Sequence, residues 1–193
     1  MHHRHFMLHK PHGYLSQFVY ELKRKKKLLG ELHPFPEGTM AIGRLDEDSE
    51  GLLLLTTDGK VSELVRRKTV EKEYYAQVDG LITQEAVDAL QNGVEIGVNG
   101  TKYLTRNCTS KLIPVLPDFI GPGKRIRDER HGPTSWVSIT VTEGKFRQVR
   151  KMTAAVGFPT LRLVRVRIGE MFLEGLHAGE VKEIECINLN ESL

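Results

Sequence analysis

Asp46, Glu47, Asp48 and Glu50 stand immediately before the run Leu52-Leu53-Leu54-Leu55. Gly51 and the turn pair Asp58-Gly59 bound that run, so it reads as a buried strand, and the acidic loop at its edge is where a rigid core can hold a reactive carboxylate. Asp46 is therefore a candidate nucleophile or base, although an ordinary solvated turn has the same composition. Further along, Glu73 to Val78 alternates, with Tyr74, Ala76 and Val78 on one face and Tyr75 and Gln77 on the other. Tyr74 can stack on a base, move a proton through its hydroxyl, or simply fill core space. Arg150 lies in a basic stretch. Beside a carboxylate it would hold that group ionised and oriented; on a helix flank it could equally make a surface ion pair.

The chain places cations unevenly. Lys and Arg outnumber Asp and Glu by seven to three over residues 1–40, are outnumbered six to twelve over 41–100, and lead again by fifteen to ten over 101–193. Lys145, Arg147, Arg150, Lys151, Arg162, Arg165 and Arg167 form the densest group, with no acid between Gly144 and Gly169. Such a face suits a polyanion, because each neutralised phosphate releases counterions. A second charge run, Lys23 to Lys27, reads as a solvated loop that can touch an RNA backbone.

The elements needed to position these groups can be sketched from pattern alone. Phe6-Met7-Leu8 is a short strand stopped by Lys10-Pro11-His12-Gly13. The leucine run is followed by a short helix carrying Val61, Leu64 and Val65. Thr83 is placed to cap a helix through Leu90, and Gly93 to end it. Asn99-Gly100 predicts a hairpin between residues 94–98 and 101–113. Pro114, Pro117, Pro122 and Pro133, with Gly121, Gly123 and Gly132, mark 114–133 as a mobile basic loop. Trp136 to Val141 is a strand, Lys145 to Val156 a helix closed by Gly157, and Leu161 to Ile168 the last long strand. The core face of that helix is expected to be Val149, Met152 and Val156. The result is an α+β chain with no internal repeat.

Composition narrows the function classes. The chain has 193 residues with 39% hydrophobic content, enough for one domain or two small lobes with a sizeable core. No apolar run approaches the length of a membrane span and no secretory h-region is present, so a soluble, cytoplasmic protein is expected. Cys108 and Cys186 are isolated, which argues against a disulfide framework or a zinc site. Five of the eight histidines fall between His2 and His12 at irregular spacing, which reads as a solvated terminus or tag remnant more readily than as a metal site. No phosphate-cradling glycine loop or nucleotide fingerprint is present, and no cofactor or metal is expected.

The segment Gly43-Arg44-Leu45-Asp46, followed by Asp48-Ser49-Glu50-Gly51-Leu52-Leu53-Leu54-Leu55-Thr56 and Asp58-Gly59, resembles the signature of the ribosomal pseudouridine synthases of the RsuA-type branch. Ser49 stands where many members carry Thr. The resemblance extends through Lys10-Pro11-His12-Gly13, through Lys72 to Val78, through Glu143-Gly144-Lys145-Phe146-Arg147-Gln148-Val149-Arg150-Lys151-Met152, and through Leu163 to Gly169 and Gly179-Glu180. It implies a pseudouridine-synthase catalytic fold with a mixed, mostly antiparallel sheet. It also implies isomerisation of a uridine in ribosomal RNA, with Asp46 as the catalytic carboxylate, Tyr74 as the active-site tyrosine and Arg150 as the arginine that pairs with the aspartate. The remaining basic positions, Lys10, Arg44, Lys72, Arg147, Lys151, Arg165 and Arg167, are the expected RNA contacts. Only nine residues precede Lys10, so no separate N-terminal RNA-binding module is expected. In this the chain is most similar to the compact RluE-type members that modify large-subunit RNA. The expected organisation is one catalytic domain, or two lobes of about 1–69 and 70–193, working as a monomer on free or pre-ribosomal RNA.

The same chemistry on transfer RNA and a non-catalytic RNA-binding assembly factor on this fold fit the same motifs. A glycoside hydrolase would need two carboxylates set apart across a sugar, which adjacent loop acids do not show by themselves.

Overall fold

The computed structural model of the chain describes residues 3–19, 26–66, 70–123, 126 and 129–188. Of the basic run at 23–27, Lys23, Arg24 and Lys25 lie outside the described residues. The chain divides into two compact units, one formed by Met1–Val70 with Arg165–Leu193 and the other by Glu71–Val164.

The first unit is built on strands β1 (His5–Lys10), β2 (Met40–Ile42) and β3 (Glu50–Thr56), helix α1 (Gly59–Arg66), and three C-terminal strands. Those are the second half of β9 (Thr160–Ile168), then β10 (Met171–Phe172) and β11 (Val181–Ile184). The hydrogen-bonded order is β11-β1-β3-β9, with β2 on β3 and β10 on β9. β1 runs antiparallel to both β11 and β3. The leucine run accordingly forms a strand buried along its whole length. Leu53 and Leu55 pack with Phe6, Leu8 and Leu29, while Leu52 and Leu54 on the opposite face are equally buried. Gly51 has φ +108°, and a Cβ there would lie 2.6 Å from the backbone nitrogen of Arg165, so only glycine fits where the acidic loop enters β3.

The second unit contains β4 (Lys72–Asp79), α2 (Gln84–Asn92), β5 (Glu95–Val98), β6 (Thr101–Leu104), β7 (Thr109–Ile113), β8 (Thr134–Val141), α3 (Gln148–Ala155) and the first half of β9. Its order is β9-β4-β8-β7, with β5 and β6 forming a separate hairpin. β4 pairs antiparallel with β8 over its full length, and Ala76, Val78, Val137 and Ile139 form a fully buried centre covered by Val87 and Leu90 of α2 and Val149 and Met152 of α3. Thr83 accepts a hydrogen bond from the Ala86 N–H at 3.3 Å, the N-cap that its position forecast, and Gly93 ends α2 at φ +88°.

Three expectations need correction. The hairpin turns at Asn99-Gly100, but its return strand stops at Leu104; the Thr105 N–H bonds to the Val94 carbonyl, the Cys108 N–H to the Gln91 carbonyl, and β7 then pairs with β8 instead. Helix α3 starts at Gln148, three residues after the expected Lys145, because Arg147 adopts a left-handed conformation at φ +52°. β9 is the last long strand, and two short ones follow it, β10 on β9 and β11 on β1. The proline- and glycine-rich stretch is anchored at Asp118–Ile120. There the buried Arg162 donates to the carbonyls of Ile120 and Gly121, each at 3.0 Å. Lys124, Arg125, Arg127 and Asp128 of that stretch lie outside the described residues. No helix among the described residues is long and apolar enough to cross a membrane.

Candidate active site

In the first unit, the acidic loop is a pinned turn. The Ser49 N–H bonds to the Asp46 carbonyl at 3.0 Å, and the buried Ser16 hydroxyl binds both sides of Leu45, donating to its carbonyl at 2.8 Å and accepting from its N–H at 3.0 Å. On the other side of Asp46, the Gly13 N–H donates to the Glu47 carbonyl at 2.8 Å, and the Glu47 carboxylate is engaged by Lys26. The backbone on both sides of Asp46 is thus held by residues from the 13–16 segment. Serine suits this task because one hydroxyl is both donor and acceptor.

Lys10 explains why that segment is itself ordered. It is fully buried, and its ammonium donates to the carbonyls of Pro11 at 3.0 Å and Tyr14 at 2.7 Å, closing the turn from which Gly13 reaches Glu47. Burial pushes its pKa down to about 8, while the carboxylates of Glu50, Asp48 and Glu47 oppose that fall and the Arg165 charge adds to it. Arg165 is buried too, and its Nε donates to the Leu52 carbonyl at 2.8 Å. The expectation that Lys10 and Arg165 touch RNA therefore gives way to an internal role, because neither presents its charge to solvent. Arg44 is exposed beside the acidic turn, and Arg167 is half-buried with a bond to the Gly169 carbonyl at 3.0 Å.

In the second unit, Tyr74 sits on β4 opposite Ile139, half-buried against the core cluster on the same face as Ala76 and Val78. Tyr75 occupies the other face, where burial first and the Glu73 charge second raise the pKa of its hydroxyl. Lys72 opens β4 and is half-buried. Arg150 lies on the first turn of α3, half-buried, with Nη1 at 3.5 Å from the Thr160 carbonyl. Its helix flank is the one expected, since Val149 and Met152 face the core. Lys151 is held by the Gly97 carbonyl at 2.7 Å.

One group escaped the sequence reading altogether. Glu143 is buried and accepts from the Tyr103 hydroxyl at 2.6 Å, the Arg106 N–H at 3.0 Å and Gln148 Nε2 at 2.6 Å. Burial alone would raise its pKa, but those three donors and the Arg106 charge together hold it below the usual carboxylate range. Gln148 in turn accepts from the Lys145 N–H at 2.9 Å. This network sets the turn that precedes α3 and so the positions of Arg147 and Arg150. Its signal in sequence is an acid and an amide five residues apart within one motif, which does not reveal burial. Ser16 had no signal, because its partner lies 29 residues away. Asp46, Arg44, Lys10, Arg165 and Arg167 belong to the first unit; Lys72, Tyr74, Arg147, Arg150 and Lys151 belong to the second.

A family model described as RNA pseudouridylate synthase matches residues 4–155, and the chain belongs to that family. It is 40% identical over 172 residues to a ribosomal large subunit pseudouridine synthase E of Xanthomonas axonopodis pv. citri, spanning 88% of each chain. It is 41% identical over 180 residues to a protein of the same description from Vibrio vulnificus, spanning 92% of this chain and 74% of that relative. A crystal structure of a pseudouridylate synthase matches its fold with a TM-score of 0.73 at 27% identity, covering 94% of this chain and 70% of that one. The fold and reaction class implied by the motifs are therefore those of this chain: it is a pseudouridine synthase, an isomerase.

Proposed function

We propose that this enzyme converts a uridine of large-subunit ribosomal RNA to pseudouridine, with Asp46 as the catalytic carboxylate, Tyr74 as the stacking tyrosine and Arg150 as the charge partner of Asp46. The observation that carries the proposal is the pinned acidic turn. Both backbone neighbours of Asp46 are tied down, and of the adjacent acids Glu47 is engaged by Lys26 and Glu50 is buried. Asp46 is thus the loop carboxylate whose backbone is tied on both sides, and the turn gives no support to a pair of carboxylates flanking a sugar. The large-subunit relatives point to the RNA class.

The reaction breaks the C1′–N1 glycosidic bond, turns the uracil and joins C5 to C1′; the proton displaced from C5 is lost and N1 takes one up, so composition does not change. Whether Asp46 attacks or takes a proton, it must be ionised, and an arginine beside it favours that form. The target nucleotide is first extruded from its stack at a cost of a few kcal/mol, and a ring such as Tyr74 recovers part of that by stacking. Arg44, Lys72, Arg147, Lys151 and Arg167 serve the RNA backbone, while Lys10 holds the turn beside the acidic loop and Arg165 holds β3 at Leu52. The enzyme works as a monomer in the cytoplasm.

The test is pseudouridine mapping of ribosomal and transfer RNA from cells with and without the protein. A large-subunit site that appears only with the protein is expected, and loss confined to transfer RNA would refute the proposed substrate. In single-turnover assays Arg150→Ala should cut the chemical rate far more than the affinity; a normal rate with a changed salt slope would move Arg150 to the phosphate contacts.

A further inference from the structure

The turn between β8 and α3 carries an aromatic ring that the reaction does not use. Phe146 is 68% exposed, between exposed Lys145 and half-buried Arg147. Its mount is built from several directions. Glu143 and Gln148 fix the turn through the bonds described above, and the Lys151 ammonium, tethered to the Gly97 carbonyl, lies 5.3 Å from the centre of the Phe146 ring. Next to it the Lys145 ammonium lies 4.6 Å from the centre of the Tyr103 ring on the β5-β6 hairpin. Glu143, the acid at the start of this turn, is buried and already bonded.

An exposed ring on a fixed turn, with one ammonium over it and the lysine preceding it in sequence held over the Tyr103 ring, has the two elements with which proteins hold unpaired nucleotides. A π-face accepts any base, and cations track the adjacent phosphates. We propose that Phe146 is a stacking platform for an unpaired base of the substrate RNA other than the uridine that is isomerised, with Lys145 and Lys151 contacting the phosphates beside it. This rests on the RNA-substrate reading above and adds to it a preference for single-stranded sequence next to the target. The platform sits on the turn that leads into the helix of Arg150, so a base held there also sets the register of the strand relative to α3.

The test uses the full chain and a labelled single-stranded RNA of about 12 nucleotides, compared with the same sequence as a duplex. Phe146→Ala should weaken single-strand binding about 5- to 150-fold, the worth of one base–aromatic stack. Duplex binding and the log-log salt slope should stay as in the wild type, and Phe146→Trp should restore affinity. Lys145→Ala should instead lower the salt slope by about 0.7. Wild-type single-strand affinity in Phe146→Ala, equal loss on duplex and single strand, or no rescue by Phe146→Trp would each overturn the platform. A wild-type chain that binds neither RNA would instead overturn the substrate reading itself.

Discussion

Replacing Ser16 with Ala removes one oxygen atom and with it both bonds that fix Leu45, the residue before Asp46. Leu45 is buried, so its N–H and carbonyl would each be left without that partner away from bulk water. An unsatisfied buried polar group costs about 1–3 kcal/mol. The pair should therefore cost about 2–4 kcal/mol, the lower part of the summed range, since the vacated space lets one of them relax. For a chain of this length each kcal/mol shifts the melting temperature by about 2–4 °C, so a fall of about 5–15 °C is expected. The catalytic consequence is separate. A loop free to move by an ångström misplaces Asp46, and misplacement on that scale costs about 100-fold in rate. Equilibrium urea unfolding and thermal melting would read the first effect. Single-turnover pseudouridine formation, measured at a temperature where the variant is fully folded, would read the second. RNA affinity should change little, because Ser16 is buried. A Ser16→Ala variant that melts and turns over like the wild type would refute the idea that this hydroxyl holds the catalytic turn.

Three other variants examine neighbouring steps. Asp46→Asn should abolish isomerisation with RNA affinity kept within a few fold, and Asp48→Asn should be much milder; near-normal turnover in Asp46→Asn would dismiss the mechanism. Lys10→Met should leave the salt slope of RNA binding unchanged, as befits a buried lysine, and should remove a pH dependence. In the wild type the ammonium is charged in both folded and unfolded chains below pH 8, where its burial cost is full. As pH rises from about 8 to 10.5 the unfolded chain holds the extra proton, so stability should grow, by an amount on the order of 3 kcal/mol, and a wild-type curve parallel to that of Lys10→Met across this window would count against the assignment. Glu143→Gln should destabilise the second unit by about 1–3 kcal/mol at pH 7, because the amide NH2 must face a donor, and should slow turnover through the displaced start of α3. The wild-type carboxylate has a lowered pKa, so its stabilisation is complete above the usual carboxylate range and is lost as pH falls through the folded value. The gap between the two proteins, followed by urea unfolding, should therefore close in acid; a gap that widened there would contradict it.

Much of the machinery was legible before any coordinates. The leucine strand, the Thr83 cap, the Asn99-Gly100 turn and the Tyr74 face are set by neighbours one to four residues away, and period and turn chemistry report on that range. The motif order is also the source of the proposed roles of Asp46, Tyr74 and Arg150. What tertiary structure alone decided is which charges are hidden and what they hold. Lys10 and Arg165 look like phosphate ligands in a basic sequence, yet β1 and β9 carry them into the interior, where desolvation and backbone carbonyls turn them into struts. Glu143 looks like a surface acid until Tyr103, 40 residues away, reaches it. Ser16 has no pattern at all, because a hydroxyl's partners depend on which backbone the fold brings beside it. Burial and long-range hydrogen bonding are properties of the closed chain, and local sequence spacing carries no record of them.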